Sequence, residues 1–221
     1  GQLDRVRRDF QSRRLEDRYL YLVLDAMYVR CQVASSAEVP GAGRGESVRK
    51  VAVLLVRGIT AQGRRELVDF RLAPGERESA WDGFLQSLYN RGLQGRNTAL
   101  FIHDGSEGLE NALDTVFGPS GRQRCICHKL GNLWDAVADK EAHRSIRKEA
   151  ATIYDVDTAD QARERLGEFA SKWRPLEPQA VAVLETDFEQ TLTFLAVPRA
   201  HRRWVATTNP IERLIRELRR R

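Results

Sequence analysis

The sequence predicts an α/β fold: a mixed sheet with elements in the order β-β-β-α-β-α-β-α and an all-helical insertion before the last helix. Strand-like apolar runs dominate the first third of the chain, and helical spacing separates the later strands. From about residue 141 onward only helical periodicity remains. With 221 residues, 42% of them hydrophobic, the chain can bury a sizeable core.

Three successive strands begin the predicted sheet. Residues 20–29 are a nearly continuous apolar run with β-branched and aromatic side chains, which is typical of a strand buried on both faces. The small, Gly-rich stretch 35–45 is typical of a loop. Residues 48–59 and 66–72 are two further candidate strands separated by a turn at 61–63. We therefore expect an antiparallel meander.

Helices and strands then alternate. Apolar residues at helical spacing predict a helix over 78–91, and the motif TALFIH at 98–103 predicts a short buried strand. A second helix is expected over 108–117. A fifth strand at 124–127 is expected to lead into a helix from about 129 to 139.

The remaining chain is predicted to be helical. Asn209 is a suitable N-cap for the last helix, and Pro210 suits its first position. The helices before it form a separate block in the sequence, which we interpret as an insertion into the sheet domain. The predicted organisation is a first part of the core at 1–140, a helical insertion at 141–205 and a last core helix at 206–221.

Composition limits the compartment and the partner. Lys and Arg number 36 against 31 Asp and Glu, and only five of the 36 are Lys. An excess of Arg suits phosphates and base edges, although a solvated Arg-rich surface explains it equally well. Three cysteines argue against a disulfide framework. The N-terminus lacks the apolar core of a signal peptide, and no run approaches the roughly 20 apolar residues of a membrane span. We expect a soluble, intracellular protein.

Three carboxylates are candidate site residues. Asp25 interrupts the first apolar run, where burial without a partner would be costly; the alternative is an edge strand with Asp25 facing water. Asp104 follows the fourth strand, but Asp104-Gly105 is also a common turn signal. Glu212 could simply close a capping box in the last helix. If the three met, their oxygen ligands would suit two Mg²⁺ or Mn²⁺ ions acting at a phosphodiester.

Other side chains are weaker candidates. Cys125, Cys127 and His128 suggest zinc, but no recognisable spacing supplies a fourth ligand, so packing at a strand-to-helix junction is the preferred interpretation. His103 could contact substrate or fill the end of its strand. Trp173 is the tryptophan considered for a contact with DNA, although tryptophans lie more often in cores.

Several segments, in chain order, carry the motifs of one known family. The segments SRRLEDRYLYLVLDAMYVR and FIHDGSEGLENAL contain Asp25 and Asp104. A Cys-x-x-His signature in QRCICHKLGNLWDAV falls on Cys125 and His128, and TTNPIERLIRELRRR contains Glu212. The stretches FASKWRPLEP and TLTFLAVPRAHRRW are similar to that family's helical insertion. Over nearly its whole length, the chain resembles the catalytic domain of IS256/Mutator-type DDE transposases.

The resemblance implies an RNase H-like fold and a reaction. Asp25, Asp104 and Glu212 would be catalytic and would hold two Mg²⁺ or Mn²⁺ ions, while Cys125 and His128 would be a structural signature. Water would free a 3′-hydroxyl at an insertion-element end, and that hydroxyl would attack target DNA. The implied DNA contacts are Arg213, Arg216, Arg219, Arg220, Arg221 and Trp173.

The resemblance also implies partners and a location. We expect double-stranded DNA as element ends and as target, a homodimer or higher assembly, no membrane, and a bacterial cytoplasmic protein associated with the nucleoid. The family's N-terminal DNA-binding region lies outside these 221 residues, and the family usually continues past the last helix. Two alternatives remain: an RNase H-like nuclease without strand transfer, and an inactive DNA-binding remnant of a transposase. The complete set of three carboxylates argues against the remnant.

Overall fold

A computed structural model describes residues 1–33 and 47–208 of the chain. Within these ranges a five-stranded sheet lies between layers of helices. The predicted Glu212 and the arginines that follow it lie outside the described residues. None of the described helices has both the length and the apolar character that crossing a bilayer requires.

The sheet is mixed, as the sequence predicts. Its strands are β1 (Tyr19–Val33), β2 (Ser47–Thr60), β3 (Arg65–Ala73), β4 (Leu100–His103) and β5 (Arg122–Arg124). They lie side by side in the order β3-β2-β1-β4-β5. The first three strands pair antiparallel, whereas β4 runs parallel to β1 and β5 parallel to β4. The long apolar run therefore occupies the central strand, where both of its faces are covered.

The described helices lie before, between and after the strands in the chain. They are α1 (Gln2–Ser12), α2 (Glu78–Asn90), α3 (Glu107–Phe117), α4 (Ile126–Ala136), α5 (His143–Thr152), α6 (Ala159–Trp173), α7 (Pro178–Glu185), α8 (Phe188–Leu192) and α9 (Arg199–Val205), with a 3-10 turn at Thr193–Ala196. Helix α2 connects β3 to β4, and α3 connects β4 to β5. The parallel strands are therefore joined by helical crossovers.

Two departures from the sequence prediction have a structural reason. Helix α1 is not predicted, although Leu3, Val6 and Phe10 are spaced as on one helix face; these apolar residues are few among charged ones, and none of them is buried. The end of α1 and its C-cap cover the sheet edge: Gln11 Nε2 donates to Phe70 O at 2.8 Å, and Arg13 Nη2 donates to Val68 O at 2.6 Å. The fifth strand ends at Arg124 rather than at residue 127, because Cys125 is already the N-cap of α4.

The two faces of the sheet belong to separate hydrophobic clusters. Leu22 and Leu24 of β1 pack with α2 and α3, which we call the apolar face. Val23 and Met27 point the opposite way and pack with α4 and the helices after it, which we call the site face. Successive side chains of a strand alternate between faces, so one strand supplies both clusters. The helices of 143–205 share the site-face core with the sheet.

Candidate active site

Asp25 and Asp104, which we call the acidic pair, lie on neighbouring parallel strands. β1 and β4 are in register at Val23 and Ile102. Each aspartate lies two residues beyond that pair in its own chain direction, and Asp104 follows the last residue of β4. The strand pairing therefore brings the two carboxylates together at the carboxyl end of β4, the edge at which α/β sheets usually form their sites.

Asp25 is buried, at 3% exposure, so the alternative of a water-facing edge strand is wrong. Its Oδ1 accepts a hydrogen bond from the backbone N–H of Ala26 at 2.9 Å. Burial raises the pKa of Asp25 to about 7; the positive charge of His128 opposes this shift, and the nearby charge of Asp104 adds to it. A carboxyl group with such a pKa gains and loses its proton near neutral pH.

Asp104 begins a tight turn held by local hydrogen bonds. Its Oδ1 accepts from the backbone N–H of Ser106 at 2.9 Å, and the N–H of Gly105 donates to His103 Nδ1 at 3.1 Å. Burial lowers the pKa of His103 to about 4, so its ring is neutral near pH 7 and Nδ1 can accept. His103 therefore fills the strand end and supports the turn. Asp104 therefore forms the predicted turn and also belongs to the candidate site.

Cys125 and His128, which we call the signature pair, attach residues 206–208, which follow α9, to the site. The backbone N–H of Thr208 donates to Cys125 Sγ at 3.2 Å, and its hydroxyl lies 3.3 Å from His128 Nδ1. The N–H of Ile126 donates to Ala206 O at 3.1 Å. These contacts attach residues 206–208 to the N-terminal end of α4, beside the acidic pair.

The signature pair also carries charge. A hydrogen bond from Cys127, together with one from His128, holds the pKa of the Cys125 thiol far below its usual range. The hydrogen bond with Cys125 raises the pKa of His128 to about 9, and the acidic pair adds to that shift. Near neutral pH, His128 therefore places a positive charge next to Asp25.

The donor set fits hard divalent cations. The described residues supply two carboxylates at one point, and oxygen ligands of this kind suit Mg²⁺ or Mn²⁺. The described part of the chain contains no cluster of three or more His, Cys, Asp or Glu residues arranged to hold a metal. The third predicted ligand, Glu212, is not among the described residues. Within residues 1–33 and 47–208, Cys125, Cys127 and His128 are not joined by further ligands into a zinc site.

Trp173 lies away from the surface. It is 8% exposed and packs in the site-face core, with its ring centroid 6.3 Å from that of Phe169. The Lys172 ammonium lies 5.0 Å from the centroid of the Trp173 ring. A contact between Trp173 and DNA therefore stays a prediction, as do the contacts assigned to Arg213, Arg216, Arg219, Arg220 and Arg221, which lie outside the described residues.

Two residues near the site were not predicted from the sequence. Thr208 is fully buried and contacts Asp25 as well as the signature pair. Arg124 is also buried, and its guanidinium donates to the carbonyl of Gly105 at 2.9 Å. Thr208 stands in the distinctive TTNPIERL motif and Arg124 precedes the Cys-x-x-His signature, so their positions in motifs were the only available signals.

Comparison with known proteins gives a consistent family. The family model described as "Transposase, Mutator family" matches residues 1–221. The transposase for insertion sequence element ISRM5 of Rhizobium meliloti (strain 1021) is 35% identical over 219 residues, which is 99% of this chain and 52% of that protein. The transposase for IS256 in transposon Tn4001 of Staphylococcus aureus is 31% identical over 225 residues, covering 100% and 53%. The chain spans about half the length of these curated relatives.

Solved structures show only a distant likeness. The Drosophila P element transposase strand transfer complex matches 84% of this chain and 52% of its own, with 12% identity and a TM-score of 0.34. The Mos1 transposase paired-end complex with left transposon end matches 77% and 54%, with 13% identity and a TM-score of 0.32. TM-scores this low support no argument about this chain.

Proposed function

Because this chain belongs to the Mutator family of transposases, we propose that it forms the catalytic core of such an enzyme, cutting DNA at insertion-element ends and joining it to a target. The observation that supports this most is the acidic pair. A carboxylate buried in the central strand costs free energy, and a second carboxylate beside it increases that cost. Cation binding explains why both carboxylates are placed there, whereas stability alone does not.

In this proposal Asp25, Asp104 and Glu212 hold two Mg²⁺ or Mn²⁺ ions. When bound, such ions activate the attacking oxygen and stabilise the charge that develops at the phosphodiester. The chain contributes position: the pairing of β1 with β4 fixes the spacing of the acidic pair, and the turn bonds to Ser106 and His103 fix Asp104. The sheet with its helical crossovers is interpreted as an RNase H-like core, with 141–205 as an insertion and 206–221 as the last core helix.

The proposed reaction has two steps. Water attacks phosphorus at the element end, the P–O3′ bond breaks, and a 3′-hydroxyl is left on the element. That 3′-oxygen then attacks phosphorus in the target strand, losing its proton, and the target 3′-oxygen leaves and is protonated. One phosphodiester replaces another in the second step, so no energy-rich cofactor is required.

We further propose how DNA is held. Arg213, Arg216, Arg219, Arg220 and Arg221 would contact phosphates, so affinity should fall steeply with salt. Trp173 could add only the small exposed part of its ring. A homodimer or higher assembly on paired ends, and a location in the bacterial cytoplasm at the nucleoid, complete the proposal.

The test is Mn²⁺-dependent cleavage and joining of a labelled duplex that carries the element ends. We expect wild type to give cut and joined products and Asp104→Ala to give neither. Asp114→Ala is the matched control, because Asp114 is an exposed carboxylate on α3 that pairs with Arg122. Equal activity of Asp104→Ala and wild type would refute the proposal. Cut products without joining would select the nuclease alternative. An inactive wild type would mean that these residues need the family's DNA-binding region to act, or that the chain is a remnant.

A further inference from the structure

Arg124 is a buried cation at the end of β5. Its side chain is 7% exposed, and the carboxylate that pairs with it, Asp187 Oδ2, lies 3.7 Å from Nη1. Its Nε has no hydrogen-bond partner among the described residues. Nη2 donates to the side-chain oxygen of Asn132 at 3.0 Å. Even with these contacts, burying a guanidinium is costly, and a hydrophobic side chain of similar volume would often be at least as stable. The position therefore calls for an explanation other than stability.

The guanidinium of Arg124 lies against the turn that follows Asp104. Nη1 donates to the carbonyl oxygen of Gly105 at 2.9 Å. Gly105 has a φ of +83°, and a Cβ placed on it would lie 1.4 Å from Arg124 Nη1 and 2.2 Å from Cζ. Glycine is therefore required twice, for its backbone conformation and for the space that the guanidinium fills.

Arg124 connects this turn to distant parts of the fold. The other two hydrogen bonds of the turn, from Ser106 to Asp104 and from Gly105 to His103, join residues only two positions apart. The bond from Arg124 comes from the neighbouring strand β5, 19 residues away. Through Asp187, the N-cap of α8, the same guanidinium also reaches the helical segment.

We propose that Arg124 is a positioning residue for Asp104, which holds the peptide after Asp104 so that the carboxylate is oriented to bind a divalent cation. The inference rests on the proposed function, since it takes Asp104 as a ligand. Groups that orient metal ligands typically change metal affinity about 10- to 100-fold when they are removed. Charge alone predicts the opposite change in metal affinity, because deleting a positive charge near a cation site should tighten cation binding.

The test is Mn²⁺ affinity of the whole chain, measured from the electron paramagnetic resonance signal of free Mn²⁺. We expect Arg124→Met to weaken binding about 10-fold or more. Arg122→Met is the matched control, because Arg122 is also a β5 arginine but its guanidinium binds Asp114 and the Gly118 carbonyl instead. Its affinity should match wild type. Asp104→Ala defines the loss expected when the ligand itself is removed.

A second variant separates position from charge and from misfolding. Arg124→Lys keeps the charge and is expected to fold, but its ammonium cannot reproduce the planar fork of the guanidinium. We expect weaker Mn²⁺ binding in this variant too, with an unchanged circular dichroism spectrum. Wild-type or tighter affinity in a folded Arg124 variant would overturn the inference and leave the proposed function standing. A wild-type chain that binds no Mn²⁺ would overturn both.

Discussion

The two faces of the sheet are built on different principles. The apolar face is closed by α2 and α3 with fully buried side chains such as Leu85 and Leu88. The site face buries polar and charged groups among its hydrophobic ones, including Asp25, Gln123 and Lys129. Hydrophobic burial stabilises without direction, whereas each buried polar group requires a partner at a defined place. The apolar face also buries Asp69, which pairs with Arg91, but more of the buried polar groups lie on the site face, so the site face is the more specific of the two.

The polar groups of the site face connect the sheet to the helical segment. Gln123 Nε2 donates to Thr191 O at 3.0 Å, and its Oε1 accepts from the N–H of Phe194 at 2.6 Å. Lys129 donates to Thr186 O, and burial lowers the pKa of Lys129 to about 8. These contacts hold the helices in one position relative to the acidic pair, which hydrophobic contacts alone would specify less sharply.

The largest effect that we predict tests whether the apolar face serves stability alone. Leu85→Ala removes a side chain that is 0% exposed, so it should cost about 2–5 kcal/mol of unfolding free energy. Urea denaturation measures that loss. Mn²⁺ affinity, measured below the unfolding transition, should stay at the wild-type value. A large change in affinity would show that the two faces are energetically coupled.

A substitution at the acidic pair should instead stabilise the protein. The folded-state pKa of Asp25, about 7, lies above the ordinary value of 3.8, so the folded chain holds a proton that the unfolded chain releases. Wild-type stability therefore falls as pH rises from about 4 to 7. Asp25→Asn has no such loss and should be more stable by roughly 4 kcal/mol at pH 8, while losing Mn²⁺ binding.

Denaturation at several pH values between 4 and 8 checks this prediction. The advantage of Asp25→Asn should shrink towards zero at the acid end, where Asp25 is protonated in both states. Asp114→Asn, at an exposed carboxylate, is the control and should show little change in stability at either end. An advantage of equal size at every pH would point to packing rather than ionisation as its cause.

Local patterns in the sequence account for most of the fold. The predicted helix over 78–91 corresponds to α2 (Glu78–Asn90), because its periodicity reflects one buried face. The run at 20–29 falls within β1 for the same reason. Helix α1 has apolar residues at helical spacing, Leu3, Val6 and Phe10, but they are few among charged residues and bury nothing, so it was not predicted. The position of β1 at the centre of the sheet depends on which strands pair with it, and the periodicity of apolar residues does not show strand pairing.

The site was only partly accessible from the sequence. An aspartate within an apolar run predicted that Asp25 would be buried and in need of compensation, and burial is what the structure has. The contacts of Arg124 with Gly105 and of Thr208 with Cys125 span 19 and 83 residues. Such contacts depend on how strands and helices are arranged in space, so no local spacing could have indicated them.

The smallest effect that we predict concerns the attachment of residues 206–208. Thr208→Val keeps the shape of the side chain but removes the hydroxyl that contacts Asp25, Cys125 and His128. Urea denaturation should show a loss of only about 1 kcal/mol of unfolding free energy, with Thr152→Val, at an exposed position on α5, as the control.

The loss is small because two backbone bonds remain, from Thr208 N–H to Cys125 and from Ile126 N–H to Ala206. A loss several times larger would mean that the hydroxyl, rather than the backbone, holds this segment against the acidic pair. The site face would then depend on single side chains even more than its hydrogen bonds indicate.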